Sequence, residues 1–433
     1  MKFDLVDAYT MKCRLYVNDN QKELIQKALA GVRVYYNCTL YEMFNSFSCT
    51  VEKEKKTKDG EKVGEIVHFP DLKNAQSKEW KAKLMSEHPI IECAPSGALM
   101  GKNSCIGADM KKSLGKLPIE YQKPVYYSNK RPRTSYTYQE MCSKIERSEN
   151  KNVFYITLNK IGRCKVRGWN QSIRFDEDGL LNFLDYCDID KRKQLTVTVS
   201  VDRCGDHYIC FKLQNVYKPM ADKIGREVGV DVGITNAVVL SDGKVYENKR
   251  FKESEKRNLR RLERKLARRQ GWANEEFRAA HKEDPDLAPS KSYDKTRLKH
   301  ARLTRKIERR RSNWNHKITR EIVQESGRIG IETLNVMKMF KNKHIAASMA
   351  DAAIGSIIEN LKYKAGWHGR EIVAVDQWFP STKRCSSCGH VKEDLPLWPR
   401  IWRCPFCHAH HDIDINAAKN ILYAAFYPQL VYS

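Results

Sequence analysis

Two closely spaced cysteine pairs near the C terminus constrain the fold of this chain more than any other feature of its sequence. Each pair has the form Cys-x2-Cys, and fifteen residues separate the pairs, which consist of Cys385, Cys388, Cys404 and Cys407. Four thiolates at this spacing can surround one Zn²⁺ ion as a tetrahedron and leave no coordination position open. The sequence therefore predicts one closed, structural zinc site.

Three histidines follow the second pair, at His408, His410 and His411. They exceed what a saturated four-sulfur site needs, so we predict that they are polar surface residues or phosphate contacts. A zinc site of mixed cysteine and histidine ligands is the alternative. The ten other cysteines are scattered singly through the first 210 residues, which is typical of reduced thiols in a cytoplasmic protein.

Charge is the second outlying property. The 433 residues include 78 Lys and Arg against 53 Asp and Glu, and residues 249–320 alone hold 25 basic and 10 acidic residues. This excess favours nucleic acid as a partner, since phosphates offset the self-repulsion of a basic chain. An acidic membrane surface is the rival, but no segment approaches the ~18 consecutive apolar residues of a membrane span. We therefore predict no membrane partner.

The hydrophobic pattern divides the chain into two regimes. The first combines a helical pattern over 21–47 with alternating β-branched and aromatic residues over 153–168 and 194–216, which favours a small antiparallel barrel or sandwich. The charged segment 51–65 is expected to be a loop or helix end. From residue 228 onward, hairpin strands, helix, strand, helix, strand and helix alternate, which is typical of an α/β layered fold.

Three acidic residues lie where a carboxylate is hard to explain structurally. Asp231 and Glu332 interrupt the apolar strands GVDVG and IGIETL, and Asp414 precedes the final helix. The ordinary alternatives are an edge position open to water and, for Asp414, a helix N-cap. Together the three acids favour a site for two Mg²⁺ ions, roughly 3.5–4 Å apart, that hydrolyses phosphodiesters. Asp412 competes with Asp414, and spacing alone does not choose between them.

Three motifs, in this order, resemble the RuvC-type nuclease core of the TnpB and type V CRISPR effector families. They are GVDVGITNAVVL, IGIETL and the stretch from STKRCSSCGH to CPFCHAHHDIDINAAKNI. In those families the third acid precedes x-N-A-A-x-N-I, so the resemblance implies that the catalytic, magnesium-binding acids are Asp231, Glu332 and Asp414. Many relatives have Arg directly before the third acid. This chain has Ile413 there, and Arg400 or Arg403 would supply the active-site cation instead.

The resemblance implies an α/β and β multidomain fold, and the long N-terminal half of a small chain resembles the miniature type V-F effectors most. It implies an RNase-H-like RuvC domain with a four-cysteine zinc ribbon, which contacts target nucleic acid, inserted before the last helix. The N-terminal half would be a β-barrel wedge with an inserted helical recognition region. The expected boundaries are wedge 1–17 and 119–217, recognition region 18–118, linker 218–227, RuvC 228–382 and 410–433, and ribbon 383–409.

The implied function is that of a compact CRISPR RNA-guided DNA endonuclease for antiviral defence in a prokaryotic cytoplasm. It would cut target DNA by two-metal-ion hydrolysis in one RuvC site, with two Mg²⁺ ions and one structural Zn²⁺. The implied partners are a guide RNA (crRNA with tracrRNA or a fused equivalent), target double-stranded DNA and a second copy in an asymmetric homodimer. The alternatives are a transposon-encoded TnpB nuclease and a non-catalytic zinc-ribbon protein that only binds nucleic acid.

The two basic helical patterns within 249–320 predict a phosphate-binding surface. A solvated, salt-bridged helix is the alternative, but acidic residues are too few to pair with most of the cations. Contacts of this kind would position a guide–target heteroduplex without reading its sequence. The predicted contact residues are Arg260, Arg261, Arg264, Arg268, Arg305 and Arg309.

Overall fold

The computed structural model divides the chain into two compact units, described separately here. The first is Leu5–Lys218, and the second consists mainly of Pro219–Arg278 and Ala288–Ser433. The structure describes residues 3–45, 48–56, 62–70, 77–99, 126–128, 132–138, 145–169, 175, 181–188, 196–219, 225–269, 279, 290–334, 351–395 and 400–430. Residues 100–125, which include the expected junction of recognition region and wedge, lie outside these ranges.

The first unit is built on a seven-stranded sheet in the order β4-β8-β9-β1-β7-β6-β5. Its strands are β1 Phe3–Tyr16, β4 Ser135–Tyr138, β5 Ile145–Arg147, β6 Val153–Leu158, β7 Gly162–Arg167, β8 Thr196–Val201 and β9 His207–Pro219. Side chains alternate between buried and exposed faces, as β6 shows with Phe154, Ile156 and Leu158 buried. The described strands form a half-barrel whose two edges are the short strands β4 and β5. The β-barrel wedge stays a prediction.

Helices and one further hairpin accompany this sheet. The helices are α1 Asp19–Asn45, α2 Lys78–Glu87, α3 Ser96–Leu99 and α4 Phe183–Asp188, with a 3-10 turn at Pro89–Cys93. One hydrophobic core joins α1, through Ile25, Val32 and Tyr35, to the sheet. Strands β2 Ser48–Lys56 and β3 Lys62–Pro70 pair as an antiparallel hairpin. The expectation of a loop or helix end over 51–65 was wrong for residues 51–56 and 62–65, which belong to these two strands. Residues 57–61 lie outside the described ranges.

The second unit is built on a five-stranded mixed sheet in the order β12-β11-β10-β13-β14. The strands are β10 Glu227–Asp231, β11 Asn236–Leu240, β12 Val245–Glu247, β13 Arg328–Glu332 and β14 Glu371–Val375. Strands β10, β11 and β12 are antiparallel, whereas β10, β13 and β14 run parallel. The carboxyl ends of the three parallel strands therefore meet at one edge of the sheet.

Five helices belong to this unit among the described residues: α5 Phe251–Ser254, α6 Lys256–Arg269, α7 Lys291–Glu325, α8 Ile354–Trp367 and α9 Ile413–Phe426. Ile318 and Ile322 of α7 and Ile357 and Leu361 of α8 bury their side chains in the core of the sheet. Between β14 and α9 lies a small hairpin of β15 Ile401–Arg403 and β16 His410–Asp412, and a 3-10 turn at Pro428–Leu430 follows α9. The predicted mixed α/β, multidomain class is confirmed.

Two further sequence expectations can be placed on these elements. The linker expected at 218–227 stays a prediction; β9 continues to Pro219, β10 begins at Glu227, and residues 220–224 lie outside the described ranges. Among the helices that the structure describes, none combines the length and the apolar character needed to cross a bilayer.

Candidate active site and zinc centre

The two cysteine pairs lie on turns with the same backbone pattern. The N–H of Cys385 donates to the carbonyl of His390, and the N–H of Gly389 donates back to the carbonyl of Cys385 at 2.9 Å. Cys404 repeats both bonds, with Ala409 and His408 respectively. The fifth residue of each turn has a positive φ, 81° at Gly389 and 60° at His408. The two turns are therefore matching knuckles.

The four sulfur atoms form one cluster. Among the described residues, these cysteines are the one group of metal-binding side chains whose ligand atoms all lie within 4.8 Å of one another. Cys385 Sγ is 3.6 Å from Cys407 Sγ, and Cys388 Sγ is 3.6 Å from Cys404 Sγ. A tetrahedron with Zn–S bonds of ~2.3 Å has sulfur atoms about 3.8 Å apart. The donor set and its spacing therefore fit a structural zinc ion.

The thiols of this cluster differ in acidity. Burial alone would raise the pKa of Cys404, but hydrogen bonds from the N–H groups of Cys407 and Phe406 lower it to about 7. Desolvation and the neighbouring thiols raise the pKa of Cys388 to about 12. Bringing all four to the thiolate form therefore requires a compensating cation, as metal binding with release of protons provides.

His411 differs from the sequence expectation. Its side chain is buried against the Trp402 ring, and its Nε2 lies 3.0 Å from Cys385 Sγ. It is therefore neither a surface residue nor a phosphate contact, because its position in β16 turns it toward the sulfur cluster. His408 and His410 are exposed, as expected.

The left-handed conformation of His408 makes a prediction about the ribbon. We expect His408→Gly to stabilise the zinc-loaded protein by up to about 1 kcal/mol, since glycine adopts this conformation without a Cβ clash. The urea midpoint of the zinc-loaded protein measures the effect. The control is His410→Gly, which puts glycine into strand β16 and should lower the midpoint. Equal shifts in both variants would contradict the prediction.

Asp231 and Glu332 lie side by side at the carboxyl ends of neighbouring parallel strands. The register pairs Val230 with Ile331, the residues immediately before the two acids. Desolvation is the main cause that raises the pKa of Asp231 to about 7, and the Glu332 carboxylate adds to it. Burial also raises the pKa of Glu332, against a hydrogen bond from Ser381. Two carboxylates held this close to each other, with little water, form a site prepared for a cation.

Asp414 lies in the first turn of α9 and faces two donors. Asn236 Nδ2 donates to its Oδ2 at 3.3 Å, and Arg400 forms an ion pair with its Oδ1. Arg400 also lowers the pKa of Asp231, so its guanidinium acts on both acids. The carboxylate oxygens of the three acids, unlike the four sulfur atoms, do not all lie within 4.8 Å of one another. Arg400 interacts with both Asp414 and Asp231.

Asp412 has a different role. Its carboxylate accepts hydrogen bonds from the N–H groups of Asp414 at 2.9 Å and Ile415 at 3.0 Å, which makes it the N-cap of α9. The capping role that was an alternative for Asp414 therefore belongs to Asp412. The carboxylate of Asp414 therefore does not cap the helix, and its described partners are Arg400 and Asn236.

Two glycines bring α9 close to the sheet and so place Asp414. A Cβ on Gly229, in β10, would lie 1.9 Å from the carbonyl oxygen of Ala418. A Cβ on Gly330, in β13, would lie 2.9 Å from the Cβ of Ala425. The strands that carry Asp231 and Glu332 thus hold the helix that carries Asp414 at backbone contact distance.

Two buried asparagines of α9, whose role the sequence reasoning missed, join this helix to the first knuckle. Asn416 accepts from Ser386 N at 2.9 Å and donates to the carbonyl of Arg384 at 2.7 Å. Asn420 donates to the carbonyl of Ser381 at 2.8 Å. Their signal in the sequence was two amides four residues apart on the apolar face of a helix. The first cysteine knuckle and the helix of Asp414 are therefore one hydrogen-bonded assembly.

The predicted phosphate contacts lie on α6 and α7. Leu259 of α6 and Ile307 of α7 are buried, which turns other faces of both helices to solvent. The structure leaves Arg260, Arg261, Arg264, Arg268 and Arg309 exposed, and Arg305 half-buried. The exposed arginines of α6 recur at three- and four-residue steps and share one side of the helix. This surface belongs to the same unit as the carboxylate site.

The raised pKa of Asp231 makes a pH prediction. Below about pH 7 this carboxyl holds a proton that a cation at the site would have to displace. We therefore expect added Mg²⁺ to bind more weakly as the pH falls, by up to about tenfold per pH unit. Titration calorimetry at pH 6, in buffers of different ionisation enthalpy, should show uptake by the buffer of about one proton per site, and close to none at pH 8. Equal proton release at both values would contradict the pKa assignment.

Comparison with known proteins matches two segments that carry these features. A family model described as "Cas12f1-like, TNB domain" covers residues 355–421, and one described as "Probable transposase" (OrfB_IS605) covers residues 208–343. A relative from Streptomyces pristinaespiralis, named "Putative RNA-guided DNA endonuclease", is 37% identical over 230 residues, 53% of this chain and 52% of that protein. The predicted resemblance is confirmed. The chain is similar to the miniature type V-F effector and TnpB-like nucleases.

A CRISPR-named relative extends the similarity. The "CRISPR-associated endodeoxyribonuclease Cas12f1" of Sulfoacidibacillus thermotolerans is 24% identical over 202 residues, 46% of this chain and 45% of that protein. The chain spans about half the length of the curated relatives that it matches first. A cryo-EM structure of a Cas12f1–sgRNA–target DNA complex aligns over 96% of this chain and 99% of that chain, at 14% identity and a TM-score of 0.30.

Proposed function

We propose that this protein is an RNA-guided DNA endonuclease that hydrolyses the phosphodiester backbone of target DNA in one carboxylate site. The observation that carries the proposal is the placement of Asp231 and Glu332 at adjacent parallel strand ends, with Asp414 on a helix packed against both strands. The sheet order and the helix that closes it support an RNase-H-like RuvC domain. The names of the similar proteins support guide RNA and DNA as the partners.

The carboxylates fit two Mg²⁺ ions because they are hard oxygen ligands. Burial disfavours the negative charges of Asp231 and Glu332, and a bound cation would offset that cost. Two such ions, when bound, activate a water and stabilise the leaving oxygen of an in-line displacement. Asp231, Glu332 and Asp414 would hold them. Arg400, released from Asp414 when that carboxylate binds a cation, would be free to contact a phosphate oxygen of the substrate. The four cysteines would hold one structural Zn²⁺ and thereby keep the ribbon attached to α9.

The basic surface of α6 and α7 would position the guide–target heteroduplex through phosphates. Five of the six predicted arginines are exposed there, and charge-assisted contacts of this kind carry no sequence information. We extend the proposal to an asymmetric homodimer on one guide RNA in a prokaryotic cytoplasm, as the resemblance to type V-F effectors implies. The mass of the RNA-loaded particle in solution would give its copy number.

Sequencing of the RNA that co-purifies with the protein, expressed from its native locus, tests the guided part of the proposal. A repeat–spacer RNA would support a CRISPR effector in antiviral defence, and RNA copied from a transposon end would support a TnpB nuclease. The loaded protein should then cut a matching duplex in Mg²⁺ and leave a mismatched duplex intact. Absence of a discrete RNA, or equal cutting of both duplexes, would overturn the proposal.

A further inference from the structure

A cleft of about 470 Å³ opens in the second unit beside the loop that joins β10 to β11. It lies between that loop and the start of the first basic helix, α6. Its lining includes two apolar side chains, Ile234 and Leu259. It also includes four cationic side chains, which are Arg250, Lys252, Lys256 and Arg260. A site of this size and mixed character suits a small ligand or one residue of a polymer.

The cleft adjoins the carboxylates through one short stretch of chain. Asp231 ends β10, Ile234 lines the cleft three residues later, and Asn236 donates to Asp414 two residues beyond. Three residues of fully extended chain span at most about 11 Å. The loop that lines the cleft therefore joins Asp231 to Asn236, the residue that bonds Asp414, so a DNA strand in the cleft lies within a few nucleotides of both acids.

Among the described residues, three of the four cationic side chains of the cleft have no carboxylate within ion-pair distance. Within the described part of the chain, no carboxylate lies within ion-pair distance of Arg250, Lys252 or Arg260, whereas Lys256 pairs with Glu253 at 2.6 Å. The other two acids of the cleft are engaged elsewhere. Asp351 accepts the N–H groups of Lys252 and Glu253, at 3.0 and 3.4 Å, and Glu263 lies 3.8 Å from His300. The cleft thus presents to a ligand three cations that have no carboxylate partner among the described residues, beside the carboxylates of Asp351 and Glu263.

Arg250 is held in a conformation that its side chain disfavours. It precedes α5 with a φ of 44° and a ψ of 48°, the left-handed region, and its N–H donates to Asn248 Oδ1 at 3.1 Å. Glycine would adopt this conformation at lower cost, and strained positions of this kind persist where the side chain has a function. Arginine at this position places a guanidinium at the cleft, although the left-handed backbone conformation is unfavourable for a residue with a Cβ atom.

We propose that this cleft holds one nucleotide of the DNA strand that is cut, adjacent to the scissile phosphate, with Arg250 as a phosphate contact. This inference rests on the proposed nuclease function and names the path of its substrate. The apolar walls distinguish a single strand from a duplex, because a duplex presents phosphates outward and hides its bases. An unpaired nucleotide can lay its base or sugar on Ile234 and Leu259 while its phosphate meets the cations.

The test is binding of a short, fluorescein-labelled oligodeoxythymidine to the full-length protein over a series of KCl concentrations. Asp231→Ala serves as the parent so that no strand is cut, and fluorescence anisotropy gives Kd. Addition of Arg250→Gly should raise Kd by about tenfold, the loss of one charge-assisted contact. It should also reduce the slope of log K against log salt by about 0.7, the value for one phosphate of a single strand.

Two matched variants separate charge from folding. Arg250→Lys keeps the cation and the disfavoured backbone, so it should keep the salt slope of the parent. Lys160→Gly removes one cation at a φ of 66° in the first unit, outside the cleft, and should leave Kd unchanged. An Arg250→Gly protein that melts no lower than its parent but binds the strand with the same Kd and slope would overturn the proposal. An equal loss in Lys160→Gly would overturn it as well.

These outcomes are distinct from failure of the proposed function. If the wild-type protein with its co-purified RNA cuts no matching DNA, the nuclease proposal fails, and the binding measurement still decides the cleft. If the wild type cuts and Arg250→Gly binds as its parent does, the cleft assignment alone fails.

Discussion

Asp231→Ala is expected to abolish DNA cleavage while the protein keeps its RNA and its stability. The cleavage rate should fall by at least about 10³-fold. Removing a residue that only hydrogen-bonds to a metal ligand typically costs 10–100-fold in metal affinity or activity, and removing a ligand itself should cost more. Asp231 is a direct candidate ligand, and its raised pKa shows that the site disfavours an isolated negative charge. Removing the carboxylate therefore removes cation binding without removing a stabilising contact. Single-turnover cleavage of a matching duplex in Mg²⁺ is the measurement.

Asp412→Asn is the matched control for this result. Asp412 lies two residues from Asp414 and caps α9 through two backbone N–H groups. Asparagine caps helices about as well as aspartate, so this variant should retain cleavage within a few-fold. Cleavage by Asp231→Ala at the wild-type rate would overturn the assignment of Asp231 as a catalytic ligand. Loss of activity in Asp412→Asn alone would transfer the third ligand from Asp414 to Asp412.

Gly229→Ala is expected to disrupt the second unit. Its new Cβ would lie 1.9 Å from the carbonyl oxygen of Ala418 and 2.6 Å from the N atom of Leu422, both in the backbone of α9. Neither atom can rotate away, so the helix must move as a body from the sheet. Overpacking against side chains costs about 1–3 kcal/mol, and against a helix backbone we expect more than about 3 kcal/mol. Urea unfolding followed by tryptophan fluorescence measures it.

The control for this variant is a glycine with open space. A Cβ on Gly366, near the end of α8, meets no atom within 4 Å. Gly366→Ala should therefore stabilise the protein by about 0.5–1 kcal/mol, since alanine is the better helix former. Opposite signs for the two variants would support close helix packing as the cause. A Gly229→Ala protein as stable as wild type would show that α9 does not rest on β10 as described.

Sequence reasoning succeeded where the pattern is local and chemically strict. Cys-x2-Cys pairs allow few alternatives, and the structure brings the four sulfur atoms together. Asp231 and Glu332 stood out because a carboxylate at the end of an apolar strand is costly, and parallel strands then place such residues at one edge. The assignment of Asp231, Glu332 and Asp414 as catalytic ligands stays a prediction.

Sequence reasoning failed where the outcome depends on contacts distant in the chain. Nothing near Asp412 and Asp414 indicates which one caps the helix, since that follows from the angle at which β16 enters α9. His411 was taken for a surface residue because alternation along a three-residue strand is too short to detect. The β2–β3 hairpin was missed because its charged residues lack the apolar alternation of a core strand. Tertiary packing decided each case.

Because of the hydrogen bonds between the first knuckle and α9, the position of the Asp414 carboxylate depends on the chemical state of the cysteines. Asn416 and Asn420 bond to backbone groups on either side of Cys385, and Asp414 lies two residues before Asn416. An oxidant that converts the cysteines to disulfides would release the ion and the knuckle together, and with them the anchor of α9. In the proposed nuclease, cutting would then stop although no acid had changed, and reduction with zinc would restore it. The redox state of the cell would thereby become a condition for breaking DNA.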